Sequence, residues 1–252
     1  MSFDVAADAY DRFMGGWSRL LSPSFADLGS VRPGQRVVDV GSGPGALTAE
    51  LVSRLGAGAV AAVDPSEPFV VAARERHPGV DVRLAIAEAL PFPDDDFDAA
   101  FAQLVVHFMP DPVAGLREMT RVTRARGVVA ACVWDYAGGR GPLGPLWEAA
   151  RTLDPDAVDE SGLAGARQGH LVELFEAAGL REIEEATLSA SRDFSGFDAW
   201  WEPFTQGVGP AGAYVGRLPP DRQVELRELC RSMLPEGPFT LTAMAWATRG
   251  LV

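Results

Sequence analysis

Apolar positions along this chain follow two alternating rhythms. Short, largely apolar runs at residues 37–40, 59–63, 98–102 and 128–134 predict strands, and the alternating run at 80–86 predicts a partly covered one. Between them, residues 47–55, 67–76 and 112–126 place apolar side chains three and four apart, the spacing that gives a helix one buried face. Turn-forming residues punctuate the joins. Gly56 and Gly58 end the first helix, His77-Pro78-Gly79 the second and Gly127 the third, while Ser66 and Asp111 stand where helix caps belong. His77 itself reads as a solvent-side turn residue. The order strand, helix, strand, helix, strand, strand, helix, strand is that of a doubly wound α/β sheet. Ahead of it, residues 4–28 carry a stripe of Tyr10, Phe13, Met14, Trp17, Leu20 and Leu21. Ser22-Pro23 is expected to interrupt this helix, and Gly15-Gly16 to bend it so that Tyr10 and Trp17 occupy separate short helices.

The join after the first strand carries the chemistry. In Val37-Val38-Asp39-Val40-Gly41-Ser42-Gly43-Pro44-Gly45, three alternate glycines permit positive φ and remove the Cβ atoms that would keep a ligand away. The helix starting near Ala46 then presents unpaired N–H groups. A plain strand-to-helix turn needs only one or two glycines. Asp64 closes the second strand about 20 residues later, where a carboxylate accepts hydrogen bonds from ribose hydroxyls. Together they predict a nucleoside site.

Composition narrows the partners. With 22 Lys+Arg against 35 Asp+Glu, the net charge of −13 disfavours nucleic acid and anionic membrane surfaces. Cys132 and Cys230 read as two buried thiols of a reducing compartment, with a single disulfide as the alternative. No apolar run reaches the roughly 18 residues of a membrane span, and the first residues lack a leader pattern, so a cytoplasmic protein is expected. Three scattered histidines predict no metal site.

At this point the residues resemble a known family. The glycine loop at 37–45, Asp64, Ala87-Glu88-Ala89-Leu90-Pro91-Phe92 with Phe97-Asp98 after it, and Arg121-Val122 before Gly127 occur in the order found in class I S-adenosylmethionine-dependent methyltransferases of the small-molecule type 11 group. The resemblance covers residues 4–134. It implies an α/β, doubly wound, Rossmann-like seven-stranded sheet with an antiparallel last strand, 180–189 and 239–249 forming a closing hairpin. It further implies a helical lid at 1–30, a cofactor-binding core of 31–134 with 165–192 and 237–252, and cap insertions at 135–164 and 193–236. The cofactor would be S-adenosylmethionine, leaving as S-adenosylhomocysteine.

Residue by residue, the resemblance assigns Gly41, Ser42 and Gly43 to the methionine portion of the cofactor and Asp64 to its ribose. Pro65, Ser66 and Phe69 would neighbour the adenine, Ala87 and Glu88 would flank it, and Gln103 would contact the amino-acid end. Tyr10 and Trp17 would cover the site. Relatives usually carry Asp before Ala87, and here that position is Ile86, so recognition of the adenine amino group would shift to backbone groups or Glu88, or the adenine would be held less tightly.

Methyl transfer from a sulfonium is an in-line displacement that positioning and water exclusion can accelerate, with a base needed only where the acceptor must lose a proton. His107, just past the fourth strand, is the first choice for that base, a packing role being the other reading; His170 ranks below it. The aromatic run Phe194, Phe197, Trp200, Trp201, Phe204 and Tyr214 reads as a small core and, through the resemblance, as a cap suited to an apolar or aromatic small-molecule acceptor. Monomer and homodimer are both compatible with it. Two other functions compete: an NAD(P)-binding oxidoreductase, because Gly41-x-Gly43-x-x-Ala46 also meets the dinucleotide fingerprint, and a non-catalytic binding protein of the methyltransferase fold.

Overall fold

The structure, a computed structural model, describes residues 10–252, so residues 4–9 of the expected first helix lie outside the described residues. Its centre is a seven-stranded sheet in the order β3-β2-β1-β4-β5-β7-β6. The parallel strands are β1 (Val37–Val40), β2 (Val60–Asp64), β3 (Asp81–Leu84), β4 (Phe97–Gln103) and β5 (Thr123–Trp134). The hairpin of β6 (Arg181–Phe194) and β7 (Phe239–Leu251) closes the sheet, with β7 antiparallel to β5 as well.

Every residue of β1, β2 and β4 is buried, because both faces of the sheet are covered. Alternation of side chains sorts the core into two. Val37 and Phe101 point to the face covered by α1 (Gly16–Leu28) and α2 (Ala46–Leu55); Val38, Val40, Ala100 and Ala102 point to the face covered by α4 (Pro112–Val122) and α6 (His170–Ala178). The helix α3 (Glu67–Arg76) packs on β2 and β3. Because the strand order reverses between β1 and β4, their carboxyl ends leave a crevice between the diverging connections.

Several expectations needed correction. Pro23 lies inside α1, which follows without a break from a wide turn at Asp11–Gly15. Burial of Leu21, Phe25 and Ala26 outweighs the one backbone hydrogen bond that proline forfeits. β5 starts at Thr123, directly after α4, and so takes in Gly127 instead of following it. A Cβ there would sit 2.8 Å from the carbonyl oxygen of Asp98, so only glycine lets this strand run so close to the start of β4. Both cysteines are buried free thiols.

Two connections complete the molecule. β5 leads to α5 (Gly144–Leu153), and the turn from β6 to β7 is expanded into α7 (Phe197–Trp201), α8 (Gly209–Arg217) and α9 (Pro220–Met233). The aromatic run packs on itself: Trp200 and Phe204 meet edge to face with centroids 4.9 Å apart, and Phe197 stacks on Trp201 at 5.9 Å. Phe13 joins Phe204 at 5.8 Å, which makes this cluster continuous with the core under the sheet.

Candidate active site

A cavity of ≈ 1090 Å³ opens at the carboxyl ends of β1, β2 and β4. Its walls include Tyr10, Gly41, Ser42, Gly43, Asp64, Pro65, Ser66, Phe69, Ala87, Glu88 and Gln103, residues that the sequence spreads over most of its first hundred positions. Trp17 is not among them; it is buried between Trp134 and Phe194, at 6.2 and 6.3 Å.

The three loop glycines have different jobs. All take positive φ, at +70°, +55° and +100° for Gly41, Gly43 and Gly45. A Cβ on Gly41 would lie 2.2 Å from Val105, and one on Gly45 would lie 2.5 Å from His77 Nε2, so these two make room for protein. At Gly43 nothing comes nearer than Tyr10 at 4.0 Å. Gly43 is therefore the glycine whose missing side chain leaves space for a ligand. His77 is not a solvent-side residue as expected: its Nε2 lies 3.1 Å from the carbonyl oxygen of Gly45, and partial burial lowers its pKa.

Asp64 fixes the loop's shape. One carboxylate oxygen accepts the Gly43 N–H and the other the Ser66 N–H, each at 2.8 Å, which ties the end of β2 to both flanking turns. Burial pushes its pKa up to about 6, although both backbone donors favour the charged form. Each oxygen keeps lone-pair capacity for a ribose hydroxyl. Beneath it lies Asp39, a carboxylate within the apolar first strand, whose functional place the sequence reading missed. It accepts the Thr48 hydroxyl at 2.7 Å, and burial raises its pKa to about 7. The signal was visible, since a charged residue in an otherwise apolar strand requires a partner or a role.

On the opposite wall, Gln103 donates from Nε2 to the carbonyl of Ser18 at 3.1 Å, leaving its buried Oε1 without a partner. That orphan acceptor suits an ammonium group. Glu88 spends one oxygen on the Asp111 N–H at 3.2 Å, while half-exposed Ile86 also lines the cavity. Asp111 caps α4 through the Ala114 N–H at 3.0 Å. From the end of that helix, Arg121 donates to the carbonyls of Leu90 and Phe92 at 3.0 and 2.9 Å, clamping the Leu-Pro-Phe loop against the sheet. The open glycine, the Asp64 carboxylate with its spare lone pairs and the orphan amide oxygen together fit S-adenosylmethionine.

His107 faces away from this cavity and lines a smaller chamber behind it. Burial lowers its pKa to about 3, so the imidazole is neutral at ordinary pH. His170 starts α6, where Nδ1 accepts the Gly165 N–H at 3.2 Å, and it lines neither space.

A model of the methyltransferase domain family matches residues 38–131. The ubiquinone/menaquinone biosynthesis C-methyltransferase UbiE of Cupriavidus metallidurans is 30% identical over 199 residues, covering 71% of this chain and 81% of the relative. The chain belongs to the S-adenosylmethionine-dependent methyltransferases of class I. The chloroplastic 2-methyl-6-phytyl-1,4-hydroquinone methyltransferase 2 of Oryza sativa subsp. japonica is 32% identical over 151 residues, 59% of this chain, which spans only 40% of that relative's length. Among solved structures, YcgJ of Bacillus subtilis superposes with a TM-score of 0.58 at 18% identity, over 91% of this chain and 97% of that one. The cofactor of this methyltransferase is S-adenosylmethionine. The oxidoreductase reading falls with the sheet: beyond β5 come two antiparallel strands in place of a second parallel mononucleotide half. Among the described residues no helix is long and apolar enough to cross a membrane, and no cluster of His, Cys, Asp and Glu could hold a metal ion.

Proposed function

We propose that this methyltransferase alkylates a small, apolar or aromatic molecule, and that its own residues act mainly by positioning the reactants and excluding water. Bound S-adenosylmethionine supplies a methyl group activated by a sulfonium that departs as a neutral thioether. The observation that carries the reading is the pairing, across one cavity, of Gly43 and Asp64 on one wall with the orphan Oε1 of Gln103 on the other.

In this reading Asp64 holds the ribose hydroxyls and Gln103 Oε1 accepts from the ammonium end. Phe69, Pro65 and Ala87 supply the apolar walls for adenine, with Tyr10 over them; Tyr10 packs on Phe69 at 5.2 Å. Residues 10–30 form the lid, and 135–164 with 193–236 the cap over the acceptor. One relative is named for a hydroquinone and another for ubiquinone/menaquinone biosynthesis, which supports a ring-bearing acceptor, as does the aromatic lining beside the cofactor cavity.

Thermal unfolding in the presence of S-adenosylhomocysteine or NADH tests the reading. S-adenosylhomocysteine at 100 times its dissociation constant should add about 2.7 kcal/mol, or roughly 5 to 11 °C, and NADH nothing. A shift with NADH alone would overturn the site assignment.

A further inference from the structure

Among the described residues, six large apolar side chains are exposed, and three of them line the cofactor cavity: Val71, Leu84 and Ile86, at 45%, 54% and 50%. One half-exposed apolar residue is ordinary, but three converging on one cavity from a helix and a strand end mark a surface that an apolar partner covers. Val71 comes from α3, Leu84 ends β3, and Ile86 follows it by two residues.

Sheet topology decides which part of the cofactor meets this rim. Neighbouring strands lie about 4.8 Å apart, and the cavity crosses four of them in the order β4, β1, β2, β3. Gln103 ends β4, Gly41 follows β1, Asp64 ends β2, and Leu84 is the register partner of Asp64 on β3. With the ammonium end at Gln103 and the ribose at Asp64, as in the methyltransferase reading on which this inference rests, the base falls one strand further on, between Phe69 and the rim.

The edge of adenine carries an exocyclic amino group with hydrogens to donate. A site that selects such a group presents an acceptor to it, and an analogue without the hydrogens is rejected because that acceptor is left unpaired. Here the rim presents hydrocarbon. Its nearby acceptors are engaged elsewhere: the Ile86 carbonyl accepts the Ala89 N–H at 3.3 Å, Glu88 Oε1 accepts the Asp111 N–H at 3.2 Å, and Glu75, one turn along α3 from Val71, is exposed to water. We propose that Val71, Leu84 and Ile86 make the base end of the cofactor site an apolar rim that does not read the adenine amino hydrogens, so that the protein also takes adenosyl cofactors alkylated on the exocyclic nitrogen. Ile86 is the residue that sets this tolerance. Carbon added to the amino group covers rim surface that water otherwise touches, which offsets the hydrogens it replaces.

Calorimetric titration with S-adenosylhomocysteine and with its analogue dimethylated on the exocyclic nitrogen, which lacks both amino hydrogens, tests the proposal. The wild type should bind the two within threefold of each other, and a larger loss for the dimethyl compound would overturn it. Ile86→Asp, which places an acceptor on the rim at a half-exposed position, should shift the ratio about tenfold in favour of S-adenosylhomocysteine. A shift below threefold would also overturn the proposal, since Ile86 would then not face the amino edge. Binding of S-adenosylhomocysteine shows that the variant is folded; if the variant binds neither compound, the wild-type ratio decides alone. Failure of the wild type to bind S-adenosylhomocysteine would strike the cofactor assignment, and the rim's role with it, whereas tight binding of that ligand with rejection of the dimethyl compound would strike the rim alone.

Discussion

The cofactor cavity and the inner chamber share a wall, yet the buried carboxylates of the cavity are bonded, whereas its amide oxygen Gln103 Oε1 and polar atoms around the chamber are not. Around the cavity, Asp64 is bonded to two backbone N–H groups and Asp39 to Thr48. Around the chamber, His107 Nδ1, Trp134 Nε1 and Glu160 Oε2 have no partner, although the Glu160 carboxyl is engaged by the Trp147 indole. The difference teaches how each region is assembled. The cavity's two bonded carboxylates come from one continuous stretch, Asp39 to Ser66, whose strand–turn–helix geometry supplies their partners locally. Among the described residues, the chamber is collected from five distant segments around residues 10, 107, 134, 160 and 209, and packing alone brings them together.

The comparison breaks if the aromatic region governs the cofactor site. Trp200→Ala should cost about 3–5 kcal/mol of stability, measured by urea denaturation, because it empties a buried ring site, while leaving S-adenosylhomocysteine affinity within threefold. A tenfold weaker affinity in the folded variant would show the two regions to be one unit.

Asp64→Ala should weaken S-adenosylhomocysteine binding by about a hundredfold, equivalent to about 2.7 kcal/mol, since it removes the proposed ribose acceptor and unties Gly43 and Ser66 together. Calorimetric titration checks this, and a loss below tenfold would place the ribose elsewhere.

Asp39 sharpens the contrast through pH. Its folded pKa of about 7 lies above the ordinary carboxylate value, so its contribution to stability is fully present below about pH 4 and is lost as pH rises through 7. Relative to Asp39→Asn, the wild type should lose up to about 1 kcal/mol per pH unit between pH 4 and 7. Parallel stability curves for the two proteins would show that the carboxyl ionises freely in the fold.

The smallest effect is expected at the edge of the aromatic cluster, where Arg231 lies over the Phe197 ring at 4.3 Å. Arg231→Ala should cost about 0.5–1 kcal/mol and leave cofactor binding untouched. A stability loss above 2 kcal/mol would mean that the charged rim, and not the rings, holds the region.

Much of the cofactor side was legible because its chemistry is local. The glycines, Asp64 and the cap at Asp111 each act on backbone a few residues away, so their spacing carries their meaning. Which glycine serves the ligand was not legible. That depends on Val105 and His77 arriving from other segments to fill the space beside Gly41 and Gly45. For the same reason Trp17, an aromatic on a helix stripe, gave no sign that it would turn toward Trp134 and away from the cavity.

By itself the sequence determined the alternation of strands and helices, the glycine-rich turn and the family, because hydrophobic period and turn chemistry are properties of contiguous residues. Only the tertiary structure decided that Pro23 stays within a helix, that His107 faces a second chamber, and that Glu160 is buried beside it with an unpaired oxygen. Those outcomes rest on burial and on partners supplied by residues far away in the chain. No local pattern encodes them.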